Sequence, residues 1–136
     1  MANARVLVCD HDDLVRETVS QVVEASGYEV VAVDLGMASL HALTTGDFAC
    51  AFLAIDLPDM PGFEVARAVR AAALPRKPRL VALTGRITRR DFIASREAGF
   101  DLHLVKPIAV EQIVVALATL RVSAPVIEAA PRVSNR

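Results

Sequence analysis

Four short segments hold the side chains with chemistry to offer, and each follows an apolar run. Val6-Leu7-Val8-Cys9 leads into Asp10-His11-Asp12-Asp13, and Ala49 to Ile55 leads into Asp56-Leu57-Pro58-Asp59. Arg79 to Leu83 ends in Thr84-Gly85, and Phe100 to Val105 ends in Lys106-Pro107. A histidine with two carboxylates, here Asp10, His11 and Asp56, is a reasonable ligand set for Zn²⁺ or Mn²⁺. The plainer alternative is a solvated His11 at the mouth of a pocket that holds no ion, and we favour it. The second of these segments is notable for what it lacks. Near the end of its apolar run stands Ala54, and the first carboxylate arrives two residues later at Asp56.

The elements that must position these residues follow from periodicity. Arg5–Cys9 reads as a strand. Leu14, Val15, Thr18, Val19, Val22 and Val23 recur at helical spacing, with Asp12 or Asp13 as the cap and Gly27 as the stop. Tyr28–Val33 is a second strand and Met37–Thr44 a short helix. The third strand begins at Ala49, closes at Pro58, Pro61 and Gly62, and is followed by a helix from Phe63 to about Ala73. Arg79–Thr84 is a strand and Thr88–Ala98 a polar helix ended by Gly99. Phe100–Val105 is the fifth strand, and Ile108–Val122 the last helix. Strands and helices alternate five times, which argues an α/β fold with a parallel sheet covered on both faces. In such sheets the carboxyl ends of the strands carry the ligands and the chemistry.

Composition narrows the function. The chain has 136 residues and is 54% hydrophobic, enough for one domain whose strands are buried on both sides. A net charge of −1 provides no field to draw nucleic acid or a membrane surface. No apolar stretch reaches the length of a membrane span, and the first residues lack the pattern of a signal peptide, so we expect a cytoplasmic protein. Cys9 and Cys50 fall on different strands. If those strands are parallel neighbours, the two lie about four residues apart along the axis, roughly 13 Å, too far for a disulfide. Residues 4–121 form the expected domain. Residues 122–136 are rich in Pro, Ala, Ser and Arg without periodicity, and a disordered tail too short to be an output domain is expected there.

Taken together these segments resemble the receiver domain of two-component response regulators. The motif elements stand as Val8-Cys9-Asp10-His11-Asp12, Leu57-Pro58-Asp59-Met60-Pro61-Gly62, Leu83-Thr84-Gly85 and Leu104-Val105-Lys106-Pro107. The resemblance implies a flavodoxin-like (βα)5 three-layer sandwich with strand order 2-1-3-4-5. It also implies two acids after the first strand holding Mg²⁺, an aspartate ending the third strand as phosphoacceptor, and a hydroxyl and a lysine on the attached phosphoryl group. A carboxylate nucleophile and a hard cation with oxygen ligands are what such chemistry requires.

Carried over by position, the first acid is Asp10, the hydroxyl Thr84 and the lysine Lys106. The second acid falls on His11. The acceptor lies four residues before the motif proline, which is Pro58, so it falls on Ala54. Asp56 sits two positions late, in the slot whose backbone carbonyl reaches the metal. Alanine offers neither a nucleophile nor a metal oxygen, and histidine suits softer metals than Mg²⁺. The expectation is therefore a degenerate or pseudo-receiver with no enzymatic activity, no cofactor and no bound Mg²⁺. Lys106 is expected to pair with Asp10 or Asp56 and hold the pocket closed. The resemblance also allows a cis peptide at Lys106-Pro107.

Such a protein would signal by contact with a histidine kinase, a phosphotransfer protein or another response regulator. In the last helix Ile113, Val114, Leu117 and Leu120 are expected to cover the sheet. Val110, Val115, Ala118 and Val122 extend the apolar surface beyond it, which suggests a homodimer or partner contact. His103 matches the position of a switching aromatic, but an exposed strand residue beside the last helix is the favoured expectation. Arg86, Arg89, Arg90 and Arg96 fit either an acidic partner or a solvated helical face. Two alternatives stand beside this picture. One is a phosphoryl-accepting single-domain regulator whose acceptor aspartate has been replaced by Ala54. The other is a small-ligand or metal-binding flavodoxin-like module, for which no Gly-rich phosphate loop speaks.

Overall fold

The computed structural model describes residues 4–85 and 88–121. Five strands, β1 (Arg5–Cys9), β2 (Glu29–Val33), β3 (Cys50–Ala54), β4 (Arg79–Thr84) and β5 (Leu102–Val105), alternate with five helices. These are α1 (Asp13–Ala25), α2 (Gly36–Thr45), α3 (Gly62–Ala71), α4 (Arg89–Ala98) and α5 (Val110–Ala118), the last continuing into a 3₁₀ turn, Thr119–Arg121. All strand pairs are parallel and the order is β2-β1-β3-β4-β5. This is the expected flavodoxin-like arrangement.

Strand alternation splits the core into two layers. Val6, Val8, Phe52, Val81 and Leu83 pack with Val19 and Val23 of α1 and Ile113 and Leu117 of α5. Leu7, Leu53, Leu80 and Ala82 face the other way, against Leu43 of α2, Val65 and Val69 of α3 and Ala98 of α4. Every residue of β3 is buried, which is why its sequence is apolar throughout rather than alternating. The helix signals act locally. Asp12 Oδ1 accepts from the backbone of Leu14 and Val15 and caps α1. Gly99 ends α4 at φ +115°, a left-handed position that disfavours any side chain.

Several expectations need correction. The last helix begins at Val110 rather than Ile108, because Ala109 is its cap, with Gln112 Oε1 accepting from Ala109 N at 2.9 Å; the Lys106-Pro107 bond before it is cis. Within it, Ala116 takes the sheet-facing place given to Val114, which is exposed. Cys9 pairs with Leu53 and Cys50 with Val6, so the cysteines are three residues apart along the strands, not four. They also lie on opposite faces of the sheet, which excludes a disulfide more firmly than distance does. Both thiols are buried and free. Burial pushes both thiols up, Cys9 to about 12. His103 is not an exposed strand residue. It is 3% exposed, and its ring stacks on Phe92 of α4 at 5.8 Å between centroids. Helix α4 covers the outer side of this edge strand, so position 103 faces that helix. The tail, with Val122, and Arg86 lie outside the described residues.

Candidate functional site at the carboxyl edge of the sheet

Parallel register brings the ends of the strands together. Cys9 stands beside Leu53, Ala54 beside Leu83, and Thr84 beside Val105. Asp10 and Lys106 are the residues that follow β1 and β5, and they therefore arrive at one edge with Ala54 and Thr84. Backbone bonds continue the ladder past the strands. Asp10 N donates to Val33 O at 3.3 Å, Ile55 N to Leu83 O at 3.0 Å and Lys106 N to Thr84 O at 2.7 Å.

Asp10 is the centre of the site and is 2% exposed. Its Oδ1 accepts from Asp12 N at 2.9 Å, and its Oδ2 lies 2.8 Å from Lys106 Nζ. Arg16 Nη1 donates to the Asp10 carbonyl at 2.8 Å, and its other arm pairs with the exposed Asp13 at 2.5 Å. A buried carboxylate needs a partner of opposite charge, and Lys106 supplies it. Ala54 is 1% exposed at the end of β3, and Thr84 is likewise buried at the end of β4. Gly62, the first residue of α3, lies so close to Ala54 that a Cβ there would overlap the Ala54 carbonyl. Its N–H donates to Ile55 O at 2.7 Å, which folds the β3–α3 loop back over the strand end.

His11 and Asp56 are both exposed and take no place in this buried group. The structure thus gathers Asp10, Ala54, Thr84 and Lys106, and leaves His11 and Asp56 at the surface. Among the described residues no three His, Cys, Asp or Glu side chains come together as a metal would require. The residues present do not fit the Mg²⁺ that the resemblance implies. One carboxylate remains at the edge and it already faces an ammonium group, while the Asp12 carboxylate is committed to capping α1.

The sequence matches the family of the response regulator receiver domain over residues 6–118. The chain belongs to that family. Among curated relatives, the response regulator MprA of Mycobacterium sp. (strain KMS) is 31% identical over 124 residues, covering 89% of this chain and 52% of MprA. The transcriptional regulatory protein CusR of Escherichia coli (strain K12) is 29% identical over 133 residues, covering 96% of this chain and 58% of CusR. This receiver domain therefore spans about half the length of the curated relatives it matches. Among solved structures, the chemotaxis response regulator CheY4 of Vibrio cholerae superposes with a TM-score of 0.80 at 26% identity, covering 88% of this chain and 99% of that one. A CheY-like receiver domain from Methanospirillum hungatei gives 0.76 at 26% identity, over 86% of this chain and 92% of that one.

Sequence reasoning assigned no tertiary contact to three residues that build this receiver's site. Arg16 braces Asp10, Asp59 binds α2, and Gly62 sits against the Ala54 carbonyl. Gly62 had a visible signal as the glycine opening α3 after two prolines. Arg16 and Asp59 act across turns, and nothing in local periodicity marks them. No helix among the described residues is long and apolar enough to cross a membrane.

Proposed function

We propose that this receiver domain is a pseudo-receiver, a part of two-component or phosphorelay signalling that works by protein–protein contact without taking a phosphoryl group. One observation carries the proposal: β3 ends on Ala54 next to an Asp10 already neutralised by Lys106. Phosphoryl acceptance at this edge needs a carboxylate nucleophile and a cation that offsets the developing charge. Ala54 removes the first, and the Asp10–Lys106 pair leaves no set of oxygens for the second. The protein has no enzymatic activity in this account and requires no cofactor. Its place is the cytoplasm, where its partners are a histidine kinase, a phosphotransfer protein or another response regulator.

The contact surface we assign is the outer side of α5 with the adjoining side of α4. Val110 and Val115 are 51% and 60% exposed, and Val114, Ala118 and Ile93 are exposed as well. Apolar side chains concentrated on one short helix favour a covering partner or a second copy of the chain. Binding there acts by favouring one conformation of the partner.

A second picture, a working regulator with its acceptor replaced by alanine, draws support from Thr84, Lys106 and Gly62, which retain the rest of the pocket. His11 weighs against it, because one replacement does not account for two missing acids. Amide spectra of the chain with and without Mg²⁺ and beryllofluoride test the proposal. Unchanged spectra are expected for the natural chain, and only weak Mg²⁺-dependent changes for Ala54→Asp. Strong Mg²⁺-dependent shifts around Asp10 in the natural chain would overturn the proposal. A fully responsive Ala54→Asp variant would favour the second picture.

A further inference from the structure

The amino terminus of α2 has no cap of its own. Leu35 occupies the capping position and contributes no side-chain hydrogen bond. The first N–H groups of a helix nevertheless need acceptors. They find them in the β3–α3 loop, on the opposite side of the pocket mouth. Asp59 Oδ1 accepts from Gly36 N at 2.7 Å, and Oδ2 accepts from Met37 N at 2.9 Å. A carboxylate is also the favoured charge at a helix amino terminus. The bonds from Met37 and Gly36 hold the Asp59 carboxyl below the usual carboxylate range.

The contact is closely fitted. A Cβ at Gly36 would come within 2.5 Å of Met60 Cγ and 3.2 Å of Asp59 Oδ1. Glycine at 36 therefore lets the loop lie directly on the helix end. The same helix end is tied to β1, since Cys9 Sγ donates to Leu35 O at 3.5 Å. Cys9 immediately precedes Asp10, and Asp59 lies three residues beyond Asp56. The start of α2 thus connects the segment that carries Asp10 with the loop that follows Ala54. It also presents apolar surface, with Met37 60% and Leu35 39% exposed.

We propose that Asp59 is a latch that joins the β3–α3 loop to α2, so that the pocket mouth and the exposed Leu35–Met37 end of the helix move as one unit. Displacing α2 at Met37 then displaces Met60, Asp56 and the loop, through two charge-assisted hydrogen bonds that do not involve the sheet. This coupling stands independently of whether Ala54 is the natural acceptor residue.

Amide hydrogen exchange of the full chain near neutral pH, followed by NMR, tests the latch in Asp59→Ala and Asp59→Asn. In the natural protein the Gly36 and Met37 amides are protected. Asp59→Ala is expected to speed both several-fold and to speed Met60 and Gly62 with them. Asp59→Asn keeps one acceptor oxygen and falls between. Faster exchange at Gly36 and Met37 with natural rates at Met60 and Gly62 would mean a local cap and overturn the coupling. Unchanged rates at Gly36 and Met37 would overturn the latch itself. Should Asp59→Ala not fold, acid titration of the natural chain replaces it. The latch is complete above the ordinary carboxylate range and is lost as pH falls through the depressed Asp59 value. The Gly36, Met37 and Met60 resonances are then expected to move with one midpoint, and separate midpoints would overturn the proposal.

Discussion

Two ion pairs stand at opposite edges of the sheet, and they are built differently. At the amino edge Arg70 uses its whole guanidinium. It donates to Gly99 O and Pro78 O at 2.9 Å each and to Asp101 Oδ2 at 2.7 Å. Asp101 in turn accepts from Leu80 N at 2.9 Å. That pair joins the end of α3 to the starts of β4 and β5, and both partners keep access to water. At the carboxyl edge the ammonium of Lys106 meets a carboxylate that is almost wholly buried. The amino-edge pair is a tie between backbone segments, in which the charges assist ordinary hydrogen bonding. The carboxyl-edge pair neutralises a charge that the fold has placed at the strand ends, where open parallel sheets carry their ligands. Its loss leaves Asp10 in the interior without a counter-ion, whereas loss of Arg70 leaves an Asp101 carboxylate that water already reaches.

The contrast is strongest in Lys106→Met. An uncompensated buried carboxylate is expected to lower stability by about 3 kcal/mol, with much of that loss recovered in the double variant Asp10→Asn/Lys106→Met. Urea unfolding of the four proteins in the cycle measures it. Equal losses in the single and double variants would show that Asp10 needs no counter-ion. Next is Gly62→Ala, expected to cost about 2 kcal/mol because the added methyl meets backbone at Ala54 rather than a movable side chain. Arg70→Ala should cost about 1 kcal/mol, since its charged partner Asp101 keeps 28% of its side chain exposed and can hydrate. A loss as large as that of Lys106→Met would erase the distinction between the two edges. Smallest in stability is Val115→Glu on exposed α5, within about 0.5 kcal/mol. Its effect is expected in association instead, as weakened self-association in sedimentation or weakened binding to a purified kinase or phosphotransfer partner. Normal association in this variant would move the contact surface elsewhere.

Much of the architecture could be read from periodicity alone. The five apolar runs became five strands because each is short and bounded by turn residues, and the central β3 is apolar and buried throughout. The resemblance to the receiver family, rather than periodicity, picked out Ala54 four residues before Pro58, and Thr84 and Lys106 as the hydroxyl and lysine positions. The errors have local causes. Val114 was expected inward, but the buried face of α5 follows the i, i+3, i+4, i+7 spacing of Ile113, Ala116, Leu117 and Leu120, and a valine one residue after Ile113 points away from it. His103 was misplaced because an edge strand looks exposed until the helix that covers it is seen. The spacing of Cys9 and Cys50 required the pairing register, which no single strand encodes. Arg16 and Asp59 bind groups contributed by turns and helix ends, so only folding makes their partners apparent.

Intact-mass measurement of the unaltered chain after incubation with acetyl phosphate and Mg²⁺ bears most directly on the central claim. An unmodified mass is expected, because position 54 holds no nucleophile and Asp10 is held by Lys106. A phosphoryl adduct mapped to Asp10 or Asp56 would contradict the account, since one of those carboxylates would then have taken the acceptor's place.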